Sequence, residues 1–158
     1  MLATPSVRLA TPSDARAIAA LSRDFIEHGL GWSYTPARIV AAIRSRTTNV
    51  AVIHARGCLF ACGVMNYGDT RAHLVLLGVH PTQRRQGLGR MLLAWLEDCA
   101  LVAGLETIGV EARADNPGAV RFYLDQGYAV RGRVPGYYSG VVDAICLEKP
   151  LGTAERAN

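Results

Sequence analysis

Leu76-Leu77-Gly78-Val79-His80-Pro81-Thr82-Gln83-Arg84-Arg85-Gln86-Gly87-Leu88-Gly89-Arg90 is the stretch on which the reading of this chain turns. An apolar, strand-like run passes directly into a basic turn with two glycines. From Leu88 the apolar period becomes helical, through Leu92, Trp95, Leu96, Cys99 and Val102, until Gly104 stops it. At such a junction the free backbone N–H groups and the positive end of the helix converge, and Gly87 and Gly89 let a ligand approach the backbone. Arg84, Arg85 and Arg90 add side-chain charge. The arrangement predicts capture of an anion, and a diphosphate would fit it. Two other phosphate loops are excluded. No Lys followed by Ser or Thr is present for a P-loop, and Leu92 stands where the dinucleotide fingerprint needs its third glycine.

Outward from this loop, the chain alternates helix and strand signals without repeats or long linkers. A short strand over 7–10 leads to a helix start at Thr11-Pro12-Ser13-Asp14, with Ile18, Leu21 and Phe25 at helical spacing and Gly29 closing the helix. Thr35-Pro36 begins a second helix whose apolar face is Ile39, Val40 and Ile43. Strands are predicted over 49–55, 58–67, 72–80 and 107–114, a helix from Asn116-Pro117 to Gly127, and two last strands over 128–134 and 141–148. The order β-α-α-β-β-β-α-β-α-β-β predicts an α/β domain, a mixed sheet covered by helices. A single domain spans 1–158, with an ordered core from about 6 to 151 and a frayed tail after Pro150.

With 158 residues, half of them apolar, the chain can bury one core. It carries sixteen Arg and one lysine, Lys149, against 13 acidic residues, for a formal charge of +4. Residues 70–96 hold Arg71, Arg84, Arg85 and Arg90 and no acid, so the whole surplus lies on this strand, loop and helix. The charge therefore needs no nucleic acid to explain it, although a basic balance alone would allow one. No apolar run reaches the roughly 18 residues of a membrane span, and no signal segment opens the chain, so a soluble, cytoplasmic protein is expected. Cys58, Cys62, Cys99 and Cys146 have no paired metal-ligand spacing and lie in apolar segments, which predicts buried, reduced thiols and no metal.

Arg84-Arg85-Gln86-Gly87-Leu88-Gly89 resembles the (Gln/Arg)-x-x-Gly-x-(Gly/Ala) loop of the GNAT N-acetyltransferases, and Asn116-Pro117-Gly118-Ala119-Val120-Arg121-Phe122-Tyr123-Leu124-Asp125-Gln126-Gly127-Tyr128 is similar to that family's second motif. Within the family, the twelve residues from Glu111 to Tyr123, and Tyr137-Tyr138 followed by Asp143-Ala144-Ile145, resemble the ribosomal-protein-alanine N-acetyltransferases. Residues 27–36 do not match the peptide-site segment found there. The resemblance implies the GNAT fold, a mixed, mostly antiparallel sheet with a split between two central parallel strands, here 72–80 and 107–114, and often a homodimer. It implies acetyl-CoA as co-substrate, without a metal, held by Leu77, Gly78, Val79, Arg84, Arg85, Gln86, Gly87, Leu88, Gly89, Arg90 and Asn116.

Acetyl transfer from a thioester to an amine needs a held donor, a neutral amine, a donor to the oxyanion and a proton for the thiolate. A backbone N–H at Gly78 or Val79 is the oxyanion candidate. Tyr123 is the acid, acting mainly as a hydrogen-bond donor, because a phenol near pKa 10 protonates a thiolate near 8.5 only uphill, by about 2 kcal/mol. The alternative for Tyr123 is a core tyrosine. Glu111, mid-strand among Ile108, Val110 and Ala112, is the base, its alternative a same-face pair with Arg113. His80 is a rival base or a turn residue, and Asn116 also suits an N-cap. Tyr137 and Tyr138, expected in a loop, resemble an acceptor pair, with Trp32 and Tyr34 on the opposite wall. No cysteine lies in either motif, so direct transfer is expected. The acceptor is a protein or peptide N-terminal amine, or alternatively a small amine; a non-catalytic acyl-CoA-binding module is the remaining alternative.

Overall fold

Alternating and continuous apolar runs in the middle of the chain assemble seven strands into one sheet, flanked by four helices, in a computed structural model that describes residues 5–152. In chain order these are β1 (Val7–Leu9), α1 (Ala15–Leu21), α2 (Pro36–Arg44), β2 (Thr48–Ala55), β3 (Cys58–Tyr67), β4 (Arg71–Val79), α3 (Leu88–Val102), β5 (Thr107–Arg113), α4 (Pro117–Asp125), β6 (Ala129–Tyr138) and β7 (Val142–Pro150). The sheet order is β1-β2-β3-β4-β5-β7-β6, antiparallel except between β4 and β5.

The β4–β5 seam decides the site. It is paired only from Arg71 to Leu74 against Thr107 to Val110, after which the two strands part. On its other side β4 keeps pairing with β3, but the register steps from Met65 opposite Leu74 to Val64 opposite Leu76, so Val75 is an extra residue, a β-bulge. The bulge bends β4 away from β5. It also turns Val75 and Leu76 toward the core built with α1 and α2, whereas Leu74 and Leu77 face the core built with α3 and α4.

Each sheet face thus carries its own core. Leu92, Leu93 and Leu96 of α3 are fully enclosed, and each would cost about 2–5 kcal/mol on truncation to Ala. On the opposite face Ile18 and Ile39 of α1 and α2 pack on Val52, Cys62 and Leu76. Asp14 ties β1 to α1: its carboxylate accepts two bonds from Arg8, at 2.8 and 3.0 Å, and one from the Thr11 N–H at 2.8 Å. Chiefly the bond from Arg8 lowers its pKa to about 2.

Several expectations are corrected. The first helix does not run to Gly29; α1 ends at Leu21 and Ser22–Ile26 forms a wider π-helical turn, closed by the Glu27 N–H on the Ser22 carbonyl at 2.7 Å. α3 buries Leu93 and Ala100, and Val102 is exposed. Cys62 is buried, but Cys99 and Cys146 are half-buried and Cys58 is exposed. β6 extends through Tyr138, because Pro135 costs no ladder bond on an edge strand. Past Pro150, Leu151 donates to Glu106 at 2.8 Å, and the rest of the expected frayed tail, from residue 153, lies outside the described residues.

Candidate active site

A cleft of about 1170 Å³ opens where β4 and β5 part. One end is made by the turn after β4. Arg85 and Gly87 adopt left-handed backbone, φ 63° and 77°, and Gly87 caps α3 without a side-chain partner for its first N–H groups. Arg84, Arg85, Gly87, Gly89 and Arg90 all line the cleft here, so free N–H groups and three cations share one concavity. Gly87 is needed for its φ; Gly89 is not, since a Cβ there would meet Phe122 at 3.4 Å and Val79 at 3.5 Å, ordinary contact. Gln86 is exposed and does not line the cleft, and Leu88 is buried beneath it.

Arg71 corrects the charge reading. It lies at the far end of β4, paired with Glu148 at 3.0 Å, so three of the four local arginines serve the loop.

Along the wall, β4 offers its free edge. The His80 N–H donates to the Phe60 carbonyl of β3, and in an antiparallel ladder such bonds recur at every second residue, so Gly78 and Leu76 also face β3. Leu77 and Val79 therefore turn their backbone toward the cleft, and the Val79 carbonyl accepts from Arg84 Nε at 3.3 Å. Of the two oxyanion candidates, Val79 has the right direction. Gly78 serves packing instead: a Cβ there would stand 2.5 Å from Ile26 Cδ1 and 2.8 Å from Leu21 Cδ2.

Tyr123 and Asn116 come from α4, on the opposite side of the gap. The Asn116 carboxamide accepts from the Ala119 N–H at 3.1 Å as an N-cap and lines the cleft. Tyr123 is 7% exposed, wedged edge-on between Phe122 and Tyr128, yet it too lines the cleft. Burial, with a smaller contribution from Tyr138, pushes its phenol above the usual range, so it stays protonated at neutral pH.

Glu111 stands on β5 just past the last paired residue, on the other sheet face from Tyr123's core. It does not pair with Arg113, which instead holds Asp115 at 2.9 Å; a carboxylate oxygen of Glu111 contacts His73 Nε2. His80 is engaged with Thr82, at 2.9 Å, and with the Phe25 ring, as a turn residue. Tyr137 and Tyr138 sit at the end of β6, ring against ring, and both line the cleft; the Tyr138 hydroxyl donates to the Glu111 carbonyl at 3.0 Å. Tyr34 faces them under the Arg38 guanidinium, its hydroxyl 3.5 Å from the carbonyl of the bulged Val75. Trp32 is absent from this wall: its indole N–H donates to the Ala19 carbonyl at 3.2 Å, with Arg23 over the ring.

Two residues on this side escaped the sequence reading. Glu27 is buried, and its carboxylate accepts from Ser22 and from the Ser33 N–H at 2.8 Å each, from the Ser33 hydroxyl at 2.5 Å and from the Tyr34 N–H at 3.2 Å. Burial opposes its charge, and these four bonds outweigh that, leaving its pKa below the ordinary value. His73 is the other. Its signal was a polar residue inside an apolar strand; Glu27 gave none, because its partners come from the fold.

Residues 16–128 match the Acetyltransferase (GNAT) family. The chain belongs to this family. Among GNAT relatives, the N-terminal acetyltransferase B complex catalytic subunit naa20 of Schizosaccharomyces pombe is 35% identical over 87 residues, 52% of this chain and 48% of that protein. The chain spans about half the length of the curated relatives it matches. The crystal structure of the ribosomal-protein-S18-alanine N-acetyltransferase from Escherichia coli superposes with a TM-score of 0.81 at 25% identity, covering 96% of both chains. A PaiA N-acetyltransferase from Thermoplasma acidophilum, solved in complex with coenzyme A, gives a TM-score of 0.78 at 16% identity over 94% of this chain and 99% of its own. The expected GNAT fold, with its split parallel pair, is thus the observed one. No helix of the described residues is long and apolar enough to cross a membrane.

Proposed function

We propose that this protein is an acetyl-CoA-dependent N-acetyltransferase that moves an acetyl group directly onto a primary amine, in a single domain working in the cytoplasm. The observation that carries the reading is the parting of β4 from β5. It sets a free strand edge and a cationic, amide-rich turn on one side of Glu111 and Tyr123, and an aromatic wall on the other.

In this reading the loop residues Arg84, Arg85, Gly87, Gly89 and Arg90, with Asn116, hold a pyrophosphate, and Leu77 and Val79 pair with a pantetheine arm as an added strand would. The thioester supplies an activated acetyl group. The acceptor amine enters past Tyr34, Tyr137 and Tyr138 and loses its proton to Glu111. Its nitrogen bonds to the carbonyl carbon, whose oxygen meets the Val79 N–H; the carbon–sulfur bond then breaks, and the extra proton on the bonded nitrogen passes to the departing sulfur, giving the amide and the free thiol. Tyr123 donates a hydrogen bond to the departing sulfur. Burial widens the gap between phenol and thiol, so this is stabilisation ahead of full proton transfer.

The acceptor class is a protein or peptide N-terminal amine. The relatives named for such acceptors favour it, as does an open, aromatic-walled entrance formed by Tyr34, Tyr137 and Tyr138. Free thiol release from acetyl-CoA, measured against a panel of peptides and small amines, tests it. Peptide-stimulated release supports the reading; stimulation by small amines alone overturns the acceptor class, and no stimulation by any acceptor overturns the activity.

A further inference from the structure

Past Leu74 and Val110 no strand ladder joins β4 to β5, yet one side chain spans the gap. Arg113 ends β5 on the same face as Glu111, two residues earlier. Its Nη1 donates to the Ile26 carbonyl at 3.3 Å and to the His28 carbonyl at 2.7 Å, while Nε and Nη2 hold the two carboxylate oxygens of Asp115, each at 2.9 Å. The guanidinium thus points two ways at once, and its side chain is only 19% exposed. The loop it reaches is fastened on the β4 side: Ile26 packs over Gly78, and the Phe25 ring stands 5.3 Å from that of His80. Among the described residues, no other hydrogen bond joins this loop, residues 25–34, to β5 or to anything after it.

We propose that Arg113 is the strap that sets the acceptor opening, a positioning residue that pins the loop carrying Ser33 and Tyr34 to β5 and so holds the Tyr34 wall at a fixed distance from Glu111. The proposal rests on the N-acetyltransferase reading and on acceptor entry past Tyr34. Without the strap the loop is anchored on β4 alone, and the width of the opening follows every movement of the parted strands. The fork of an arginine is needed for this. A planar guanidinium satisfies a carboxylate on one side and two carbonyls on the other at the same time, which the point charge of an ammonium does not. Asp115 has a second task. A bare cation two residues from Glu111 would repel the acceptor ammonium, and the Asp115 carboxylate cancels it.

The other polar groups of the loop do different work. Glu27 gathers Ser22, Ser33 and Tyr34, all within the loop and the turn before it. Arg38 lies over the Tyr34 ring with Nη1 3.5 Å from the Ser33 carbonyl, and the Tyr34 hydroxyl meets Val75 on β4, the side to which the loop is already fastened. Glu27 therefore shapes the loop, and Arg113 places it. The opposite wall is placed by the next residue along the chain. The Ala114 N–H donates to the Asp143 carbonyl at 2.9 Å, and the Asp143 carboxylate accepts from the Gly136 N–H at 2.9 Å, one residue before Tyr137. The end of β5 thus holds both walls of the acceptor opening, Arg113 on the Tyr34 side and Ala114 on the Tyr137 side.

The test compares the full chain with Arg113→Ala, Arg113→Lys and Asp115→Asn in the thiol-release assay, with acetyl-CoA and the best peptide acceptor. Both Arg113 variants should raise acceptor KM about tenfold or more, with donor KM within about twofold and kcat falling less than acceptor KM rises. Guanidinium chloride at tens of millimolar, against the same concentration of sodium chloride, should enter the space left in Arg113→Ala and recover several-fold of the acceptor KM, with no effect on the wild type or on Arg113→Lys. Asp115→Asn keeps the strap but uncovers its charge, so acceptor KM should rise about threefold at low salt and return toward wild type at about 0.5 M salt, where the Arg113→Ala defect persists. Acceptor KM unchanged in the Arg113 variants would overturn the proposal, as would a loss carried by donor KM or by kcat alone. Should Arg113→Ala fail to fold, Arg113→Lys and the salt response of Asp115→Asn decide in the same way. A wild type without acceptor-dependent release overturns the activity beneath the proposal, a result distinct from an active wild type whose Arg113 variants use the acceptor equally well.

Discussion

The two ends of the cleft are built by different means. At the end proposed to hold the donor nearly every feature is local: one turn, Arg84 to Arg90, supplies the left-handed residues, a helix start without a side-chain cap and the cations. At the end proposed for the acceptor nearly every feature is tertiary. Glu27 gathers Ser22, Ser33 and Tyr34, and Arg113 of β5 holds the same loop through the Ile26 and His28 carbonyls at 3.3 and 2.7 Å. A local device survives divergence of the rest of the chain, whereas a tertiary one can be redrawn whenever either partner changes.

Substitutions can break this contrast, and the largest effect belongs to the residue between the two ends. Glu111→Gln should lower kcat about a hundredfold or more with donor affinity unchanged, measured by steady-state kinetics and by calorimetric titration with coenzyme A. Donor affinity falling in step with kcat would mean that Glu111 serves the donor end instead. Tyr123→Phe should cost less, about ten- to thirtyfold in kcat, the worth of one hydrogen bond to a developing charge. A loss as large as that of Glu111→Gln would make Tyr123 a full proton donor.

Glu27→Ala sharpens the acceptor side. It strands the Ser33 and Tyr34 N–H groups, so thermal melts should show a loss of about 1–3 kcal/mol, and acceptor KM should rise about tenfold while donor KM holds. At the donor end the mirror experiment is Gly87→Ala, which forces a Cβ into φ 77° at about 1 kcal/mol, or about fivefold in donor KM. Gly89→Ala, with room for its methyl group, should cost less than Gly87→Ala; the reverse order would show that the loop holds its ligand by close approach at residue 89.

The smallest effect lies outside both ends. Because Asp14 titrates at about 2 in the folded protein, below its ordinary 3.8, its pairing with Arg8 contributes fully above pH 4 and is lost as pH falls toward 2. Arg8 is half-exposed, so the contribution is on the order of 1 kcal/mol, a melting difference of about 2–4 °C between wild type and Asp14→Asn at pH 6 that closes by pH 2. A difference independent of pH would assign the effect to the Thr11 turn rather than to charge.

The same contrast explains what the sequence could reveal. Strand-turn-helix order, the glycines at 87 and 89 and the proline-led starts of α2 and α4 depend on neighbours in the chain, and they were legible. The path of β6 was not: Pro135 and Gly136 read as a break, because nothing local reveals that the strand will lie at a sheet edge where a missing N–H is harmless. Nor was the end of α1, since Ser22 leaves the helical pattern to meet Glu27 in a turn one residue wider. Trp32, taken for a wall, turns to the Ala19 carbonyl instead, and aromatic composition carries no direction. The bulge at Val75 is a register between two strands, visible only once both are placed.

That single extra residue also sets how the molecule is hinged. Four paired positions make up the whole strand ladder between β1-β2-β3-β4 and β5-β7-β6, so the sheet resembles a book with a short spine, open along most of one margin. A bound donor lying along β4 would act as the clasp, lending the two covers hydrogen bonds that the chain itself does not provide. Cohesion between the halves would then rise and fall with the supply of that small molecule, coupling the rigidity of the protein to the metabolic state around it.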